Sequence, residues 1–294
     1  MKISSGGFLP EAYKPDKSTM DIVFFFSGGA SSMHAVLESP EHGRIYRVAG
    51  AVTNRPEREA ARGWDTARQH GIEPLYVSPG KFSTREDFYS YVADAVDEMR
   101  PDVIGLSGFL RKYSIISEPF LGRYRNRIFN VHPADLAIVY YPERRKPIEL
   151  GRDGIEKTKK HLGKMEWRHA RRFIDSGFER LYSGDDAVTM AVLFGENELR
   201  STVHVVEEKV DGGKILVRSQ PKEVDAAYVE RMLSRNAYSR IAHYASCLQD
   251  EMKRDCDGPA FIKSLELKAA GRLDIKDNFV TLDGEPLPYG GYLM

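Results

Sequence analysis

Cysteine is almost missing from this chain: its 294 residues include two, Cys247 and Cys256. Two are too few for a disulfide framework or a cysteine zinc site. No run approaches the roughly 20 apolar residues of a membrane span, and the first twenty residues lack the apolar core of a secretory signal. Neither sign of charge is in excess. Lys+Arg and Asp+Glu number 43 each, so no global field draws the protein to nucleic acid or to a membrane surface. Internal repeats and low-complexity tracts are absent as well. These absences predict a soluble protein of a reducing, cytoplasmic compartment with neither nucleic-acid nor membrane partners. What is present suffices for a core: 41% apolar and 11% aromatic residues exclude wholesale disorder.

After a polar lead-in over 1–20, "DIVFFFSGGASSMHAVLES" reads as a strand, a glycine turn and a helix. Strand, helix and strand follow in "RIYRVAGAVTN", "EREAARGWDTARQHG" and "IEPLYVSP". Gly71 is placed as a helix C-cap. The helix "STREDFYSYVADAVDEMRP" opens on a capping-box pattern from Ser83 to Glu86. "DVIGLSGF", a short helix near 114–122 and "NRIFNVHP" complete the first 133 residues. Strands alternating with helices predict an α/β fold, a doubly wound and mostly parallel sheet. Ligands of such folds sit at the carboxyl ends of the strands, and three loops fall there: Ser27–Ser32, Ser107–Tyr113 and Asn130–Pro133. Further on, "RSTVHVVEEKVDGGKILVRSQ" reads as two strands joined by a loop, and 225–253 as one long amphipathic helix. The tail, 271–292, reads as short extended pieces and turns.

Eight histidines occur in all, and one of them lies in "IFNVHP". Side chains two apart on a strand share a face, so Asn130 and His132 emerge together just before Pro133, which cannot continue a ladder. An amide donor and an imidazole suit acyl transfer, as oxyanion donor and proton carrier. On these residues alone, a capped strand end with a satisfied histidine is the preferred reading. "SGGASS" (27–32) offers backbone amides at a helix start, which bind anions. It is neither a Walker motif nor G-x-G-x-x-G, and a plain tight turn explains it as well. In "VDGG", Asp211 can orient or charge His132, or simply occupy a hairpin turn, for which Asp-Gly is a strong signal.

"FFFSGGASSMHAVLE", "SGFLRKYS", "IFNVHPADL", "STVHVVEEKVDGGKIL" and "GRLDIKDNFVTLDGEPLPYGGY" occur in the order in which the folate-dependent formyltransferases carry their motifs. The chain resembles that family over roughly 20–142 and 187–292. Its closing "LDGEPLPYGGY" is most similar to the purine-synthesis branch. The resemblance implies a Rossmann-like formyltransferase domain over 21–294 and an enzyme using 10-formyltetrahydrofolate as formyl donor, without metal. The implied acceptor is a primary amine, by default glycinamide ribonucleotide, phosphorylated and anionic. A different amine, such as an amino sugar or amino-acid derivative, hydrolysis of the donor, and a folate- or nucleotide-sensing binding module are the alternatives. A tRNA-formylating relative would need a further C-terminal domain and a formyltetrahydrofolate hydrolase an N-terminal one, neither of which is expected at this length. Homo-oligomerisation is compatible with the resemblance.

Carried over residue by residue, the resemblance makes Asn130, His132 and Asp211 catalytic. Asn130 and a protonated His132 hold the oxyanion, and Asp211 supports the histidine and relays a proton through water. The donor's pterin is expected against Leu110, Arg111, Lys112 and Tyr113 and against Glu207, Glu208 and Val210. The acceptor is expected at Gly28, Gly29, Ala30, Ser31, Ser32 and Gly108. His204 matches a family histidine near the site, or packs inward as an ordinary strand residue. Three departures stand out. Arg200 replaces a customary glycine, Asn236 falls near a customary acceptor-binding glutamate, and 143–186 is an insertion in place of a Tyr-Pro-Gly-Leu-His stretch. That insertion carries eleven Lys/Arg against four Asp/Glu between Arg144 and Arg172. A solvated helical pair or a subunit contact is the expectation there; a basic clamp on an anionic acceptor or a folate tail is the alternative.

Overall fold

The computed structural model describes residues 19–108, 120–142 and 146–294. In the first half, β1 (Met20–Phe26), α1 (Ser31–Leu37), β2 (Tyr46–Thr53), α2 (Glu57–Gln69), β3 (Leu75–Tyr76), α3 (Arg85–Met99), β4 (Val103–Ser107), α4 (Phe120–Arg123) and β5 (Ile128–His132) alternate as expected. β6 (Ile138–Tyr140) follows, and the insertion contributes α5 (Pro147–Thr158), β7 (Lys160–His161), α6 (Trp167–Asp175) and β8 (Glu179–Arg180). The second half runs α7 (Ala187–Leu193), β9 (Glu198–Leu199), β10 (Thr202–Val205), β11 (Ile215–Arg218), β12 (Lys222–Glu223), α8 (Ala226–Leu233), α9 (Tyr238–Met252) and α10 (Gly258–Ala269). Four short strands close the chain: β13 (Leu273–Ile275), β14 (Val280–Leu282), β15 (Glu285–Pro286) and β16 (Tyr292–Leu293).

The main sheet has the order β16-β11-β10-β5-β4-β1-β2-β3. Pairings from β3 across to β5 are parallel, and β10 lies antiparallel to both β5 and β11. Strand β1 shows why the sheet is central. Its residues are all buried, as a parallel strand covered on both faces requires. Ile22, Phe24 and Phe26 pack with α1, α2 and α10 residues including Met33, Trp64 and Phe261. Val23 and Phe25 face the other way, against Phe88, Val92 and Phe120 of α3 and α4. The period of two thus serves two cores. Gly105 of β4 permits this, since a Cβ there would lie 2.4 Å from the Phe24 ring. Truncating a ring such as Phe24 costs about 3–5 kcal/mol.

Three local expectations are corrected. The cap of α3 is Thr84, whose hydroxyl accepts the Asp87 amide, one residue beyond the Ser83 pattern. Residues 225–253 form two helices, α8 and α9, because Asn236 turns left-handed with φ 53°. The insertion is not a solvated helical pair. β7 and β8 flank β6 in a small sheet, and Leu162 and Ala170 are buried with Ile215 and Tyr289, with Trp167 and Phe173 packed alongside. A buried ion pair, Arg218 Nη1 to Asp135 Oδ2 at 2.9 Å, ties β11 to the segment after β5. Of the helix expected near 114–122, only the part in α4 lies within the described residues.

Candidate functional site

Register explains why the candidate residues meet. Leu106 of β4 pairs with Asn130 of β5, and Phe26 of β1 with Ser107. The carboxyl ends of β1, β4 and β5 therefore share one edge. The order 3-2-1-4-5 places the topological switch point between β1 and β4, where ligands of such sheets bind. There the Ser107 hydroxyl accepts the amides of Ser32 (3.1 Å) and Met33 (3.2 Å). Two first-turn amides of α1 are thus occupied by the protein itself. Ala30 is left-handed at φ 52°, and Gly108 has φ 70°. Gly63 allows α2 to approach this loop, because a Cβ would lie 2.4 Å from the Gly28 carbonyl. Ser27 donates to Asn54 Oδ1 at 2.6 Å, and Asn54 Nδ2 is buried without a hydrogen-bond partner among the described residues.

His204 of β10 is paired directly across from Asn130. Its Nδ1–H donates to the Val205 carbonyl (2.8 Å), which leaves Nε2 to accept from Asn130 Nδ2 at 3.2 Å. Both readings of His204 hold: it packs inward on its strand and belongs to the cluster. Asp211 sits in the loop joining β10 to β11, so the hairpin and the carboxylate are one feature. Its backbone is left-handed at φ 46°, a conformation Asp tolerates better than most residues. Oδ2 accepts the Gly184 amide at 2.9 Å and lies 3.6 Å from His132 Nδ1. Oδ1 lies 3.5 Å from His204 Nε2. His132 donates Nε2–H to the Tyr182 carbonyl at 2.6 Å. Tyr182 is itself fixed by its hydroxyl, which donates to Glu196 Oε1 at 2.7 Å.

Electrostatics separate the two titrating partners. Burial pushes the His132 imidazole down; Asp211 and the Tyr182 carbonyl oppose this, and the charges of His204 and Arg180 reinforce it. The net direction is below the ordinary histidine value, so the resting ring is neutral near pH 7. Burial pushes the Asp211 carboxyl up, but contact with His204, the charges of His132 and His204, and the Gly184 amide outweigh it. Asp211 is held well below the usual carboxylate range. A neutral His132 with its proton on Nε2 presents Nδ1 as a proton acceptor beside a fixed negative charge.

The remaining expectations are met unevenly. Glu207 is exposed and ion-paired with Lys214 at 2.7 Å, and Glu208 is exposed. Val210 shows 37% of its surface, an apolar face beside Asp211. Leu110, Arg111, Lys112 and Tyr113 lie outside the described residues. Three clefts among the described residues are lined by α6 residues. One of about 80 Å³ is lined by Phe178, Arg180, Val210, Gly212 and Tyr289 among others. His132 and Asp211 do not line it, being bonded beneath Tyr182 and Gly184. No group of three or more His, Cys, Asp or Glu among the described residues is arranged to hold a metal. No helix among them is long and apolar enough to cross a membrane.

Sequence reasoning missed Arg180, Tyr182 and Gly184, which the insertion region brings to the site. Two act through backbone atoms, which leave no residue-type signal. Arg180 does leave one: Phe178-x-Arg180-x-Tyr182 alternates like a strand, with the arginine on the inward side.

The formyl transferase family profile matches residues 20–137. Those residues form a formyl transferase domain. Similarity continues beyond that stretch. Phosphoribosylglycinamide formyltransferase of Escherichia coli (strain K12) is 24% identical over 273 residues, covering 93% of this chain and 98% of that protein. The Haemophilus influenzae enzyme of the same name is 23% identical over 272 residues, covering 92% of this chain and 97% of that protein. Among solved structures, phosphoribosylglycinamide formyltransferase from Coxiella burnetii superposes with a TM-score of 0.62 at 22% identity, covering 94% of this chain and 99% of that one. A formyltetrahydrofolate deformylase from Pseudomonas putida KT2440 gives 0.57 at 14% identity, covering 90% and 70%. At these identities the structures establish the shared fold.

Proposed function

We propose that this formyltransferase transfers the formyl group of 10-formyltetrahydrofolate to the primary amine of glycinamide ribonucleotide. The observation that carries the reading is the meeting of Asn130, His132 and Asp211 at one strand edge, with Asp211 Oδ2 3.6 Å from His132 Nδ1. Near full-length similarity to phosphoribosylglycinamide formyltransferases supports the choice of acceptor. The same reading treats 21–294 as one catalytic unit, since Tyr182 and Gly184 of the insertion bond to His132 and Asp211.

When bound, the folate supplies an electrophilic formyl carbon. Asn130 is half-buried, and the amide hydrogen not given to His204 donates to the oxygen that gains charge, a contribution worth about 10²–10³ in rate. His132 has its Nε2 proton committed to Tyr182, so it works from Nδ1 as proton acceptor. The resting imidazolium that the family resemblance implied gives way here to a ring that gains its second proton during the reaction. Asp211 then faces the new N–H and stabilises the charge until His132 would return that proton to the donor nitrogen, as the bond from that nitrogen to the formyl carbon breaks and the acceptor amine keeps the formyl group. Positioned proton transfer of this kind contributes about 10²–10⁴. Gly28 and Gly29 allow the acceptor's phosphate to approach backbone closely, and Val210 offers the pterin an apolar surface.

The test is release of tetrahydrofolate from 10-formyltetrahydrofolate with and without glycinamide ribonucleotide, and with other primary amines. Release that requires glycinamide ribonucleotide is expected. Equal release in its absence would mean hydrolysis, and release driven better by another amine would replace the acceptor.

A further inference from the structure

We infer that Arg180, which the insertion delivers, is a positioning residue that holds the Asp211 loop against His132. The inference rests on the proposed roles of those two residues. Arg180 is 8% exposed, and its hydrogen bonds go to neutral acceptors. Nη1 donates to the Asp211 carbonyl and Nη2 to the Gly213 carbonyl at 2.8 Å. Nε lies 3.3 Å from the Tyr289 hydroxyl, with the guanidinium 5.7 Å from that ring's centre. No carboxylate forms an ion pair with it among the described residues. A buried cation in no direct ion pair is costly to keep, so its place here needs a reason beyond packing.

Geometry supplies one. The two carbonyls it grips bracket Gly212, on a loop whose Asp211 is left-handed and whose Gly213 would carry a Cβ only 1.9 Å from the Val205 carbonyl. A planar fork suits two carbonyls held at fixed spacing; an ammonium does not. Gripping the backbone there turns the Asp211 side chain toward Gly184 and His132. Charge supplies a second reason. The charged and titratable groups that face His132 are Asp211, His204 and Arg180. Asp211 attracts a proton to the ring, whereas a permanent guanidinium repels one. Arg180 therefore adds to burial, the larger cause, in disfavouring a second proton on the resting ring.

The test compares Arg180→Gln and Arg180→Lys with the parent chain, reading kcat, the affinity for a folate analogue, and the His132 titration by NMR. Arg180→Gln is expected to lower kcat about 10- to 100-fold, as misplacement of a reacting group does, with analogue affinity within a few-fold. It should raise the His132 midpoint and move the acid limb of the kcat profile to higher pH, because a repelling charge is gone. Arg180→Lys keeps the charge and loses the fork, so kcat should fall while the midpoint stays. A folded Arg180→Gln with both kcat and midpoint unchanged overturns the inference; if that variant does not fold, parental kcat in Arg180→Lys overturns it. Should the midpoint move while the parent chain formylates no amine, Arg180's hold on His132 stands and the transferase reading falls.

Discussion

Replacing Asp211 by asparagine removes one charge while keeping an oxygen to accept the Gly184 amide at 2.9 Å. The loss can be sized from the structure. Two unit charges 3.6 Å apart, the separation of Asp211 Oδ2 and His132 Nδ1, interact by about 4–5 kcal/mol at an effective dielectric of about 20. That energy is present only once His132 has gained its second proton, so it acts on the transition state and not on the resting enzyme. At 1.36 kcal/mol per decade it predicts a fall in kcat of about 10³-fold. The pH dependence carries a second signature. The Asp211 charge draws a proton to His132, so its removal lowers the histidine's pKa and moves the acid limb of kcat to lower pH. Initial rates of tetrahydrofolate release across pH 5–9, with thermal melts alongside, would read both. A folded Asp211→Asn enzyme within tenfold of the parent, with an unmoved acid limb, would refute the coupling of the two residues.

Gly63→Ala should raise the acceptor KM about tenfold or more and leave folate-analogue binding near normal, because the new Cβ would fall 2.4 Å from the Gly28 carbonyl and displace the acceptor loop; an unchanged KM would detach that loop from the acceptor. Asp257 offers a stability test away from the site: burial pushes its carboxyl up to about 6, against the Ser201 hydrogen bond and the charge of Lys253. A folded-state pKa above the unfolded one means stability is lost as pH rises from about 4 through about 6, by at most about 3 kcal/mol. Asp257→Asn should therefore melt higher than the parent at pH 8 and alike at pH 4, and equal melting at both would contradict this account.

Much of this was legible because the signals are local and periodic. The run Ile22–Phe26 announces a strand buried on both faces, and the Asn130–His132 spacing holds on β5 because strand geometry enforces it. Asp211 was legible as a residue; that one loop serves as both hairpin and carboxylate mount required the β10–β11 register. What escaped is long-range. The insertion looked solvated because its charges dominate the count, whereas Leu162, Ala170 and Tyr182 decide its packing. Tyr182 and Gly184 bond through main-chain atoms, for which no residue type is diagnostic. The direction of the His132 proton depends on a carbonyl 50 residues away in sequence. The break at Asn236 turned on one left-handed residue in an otherwise continuous amphipathic pattern.

The most direct test of the central claim is a single-turnover experiment with donor labelled at the formyl carbon, run with the parent chain and with His132→Ala. The account predicts that the label appears as a formamide on glycinamide ribonucleotide in the parent reaction, at a rate at least about 10²-fold above that of the variant. Label recovered as free formate, or equal transfer by both proteins, would contradict it.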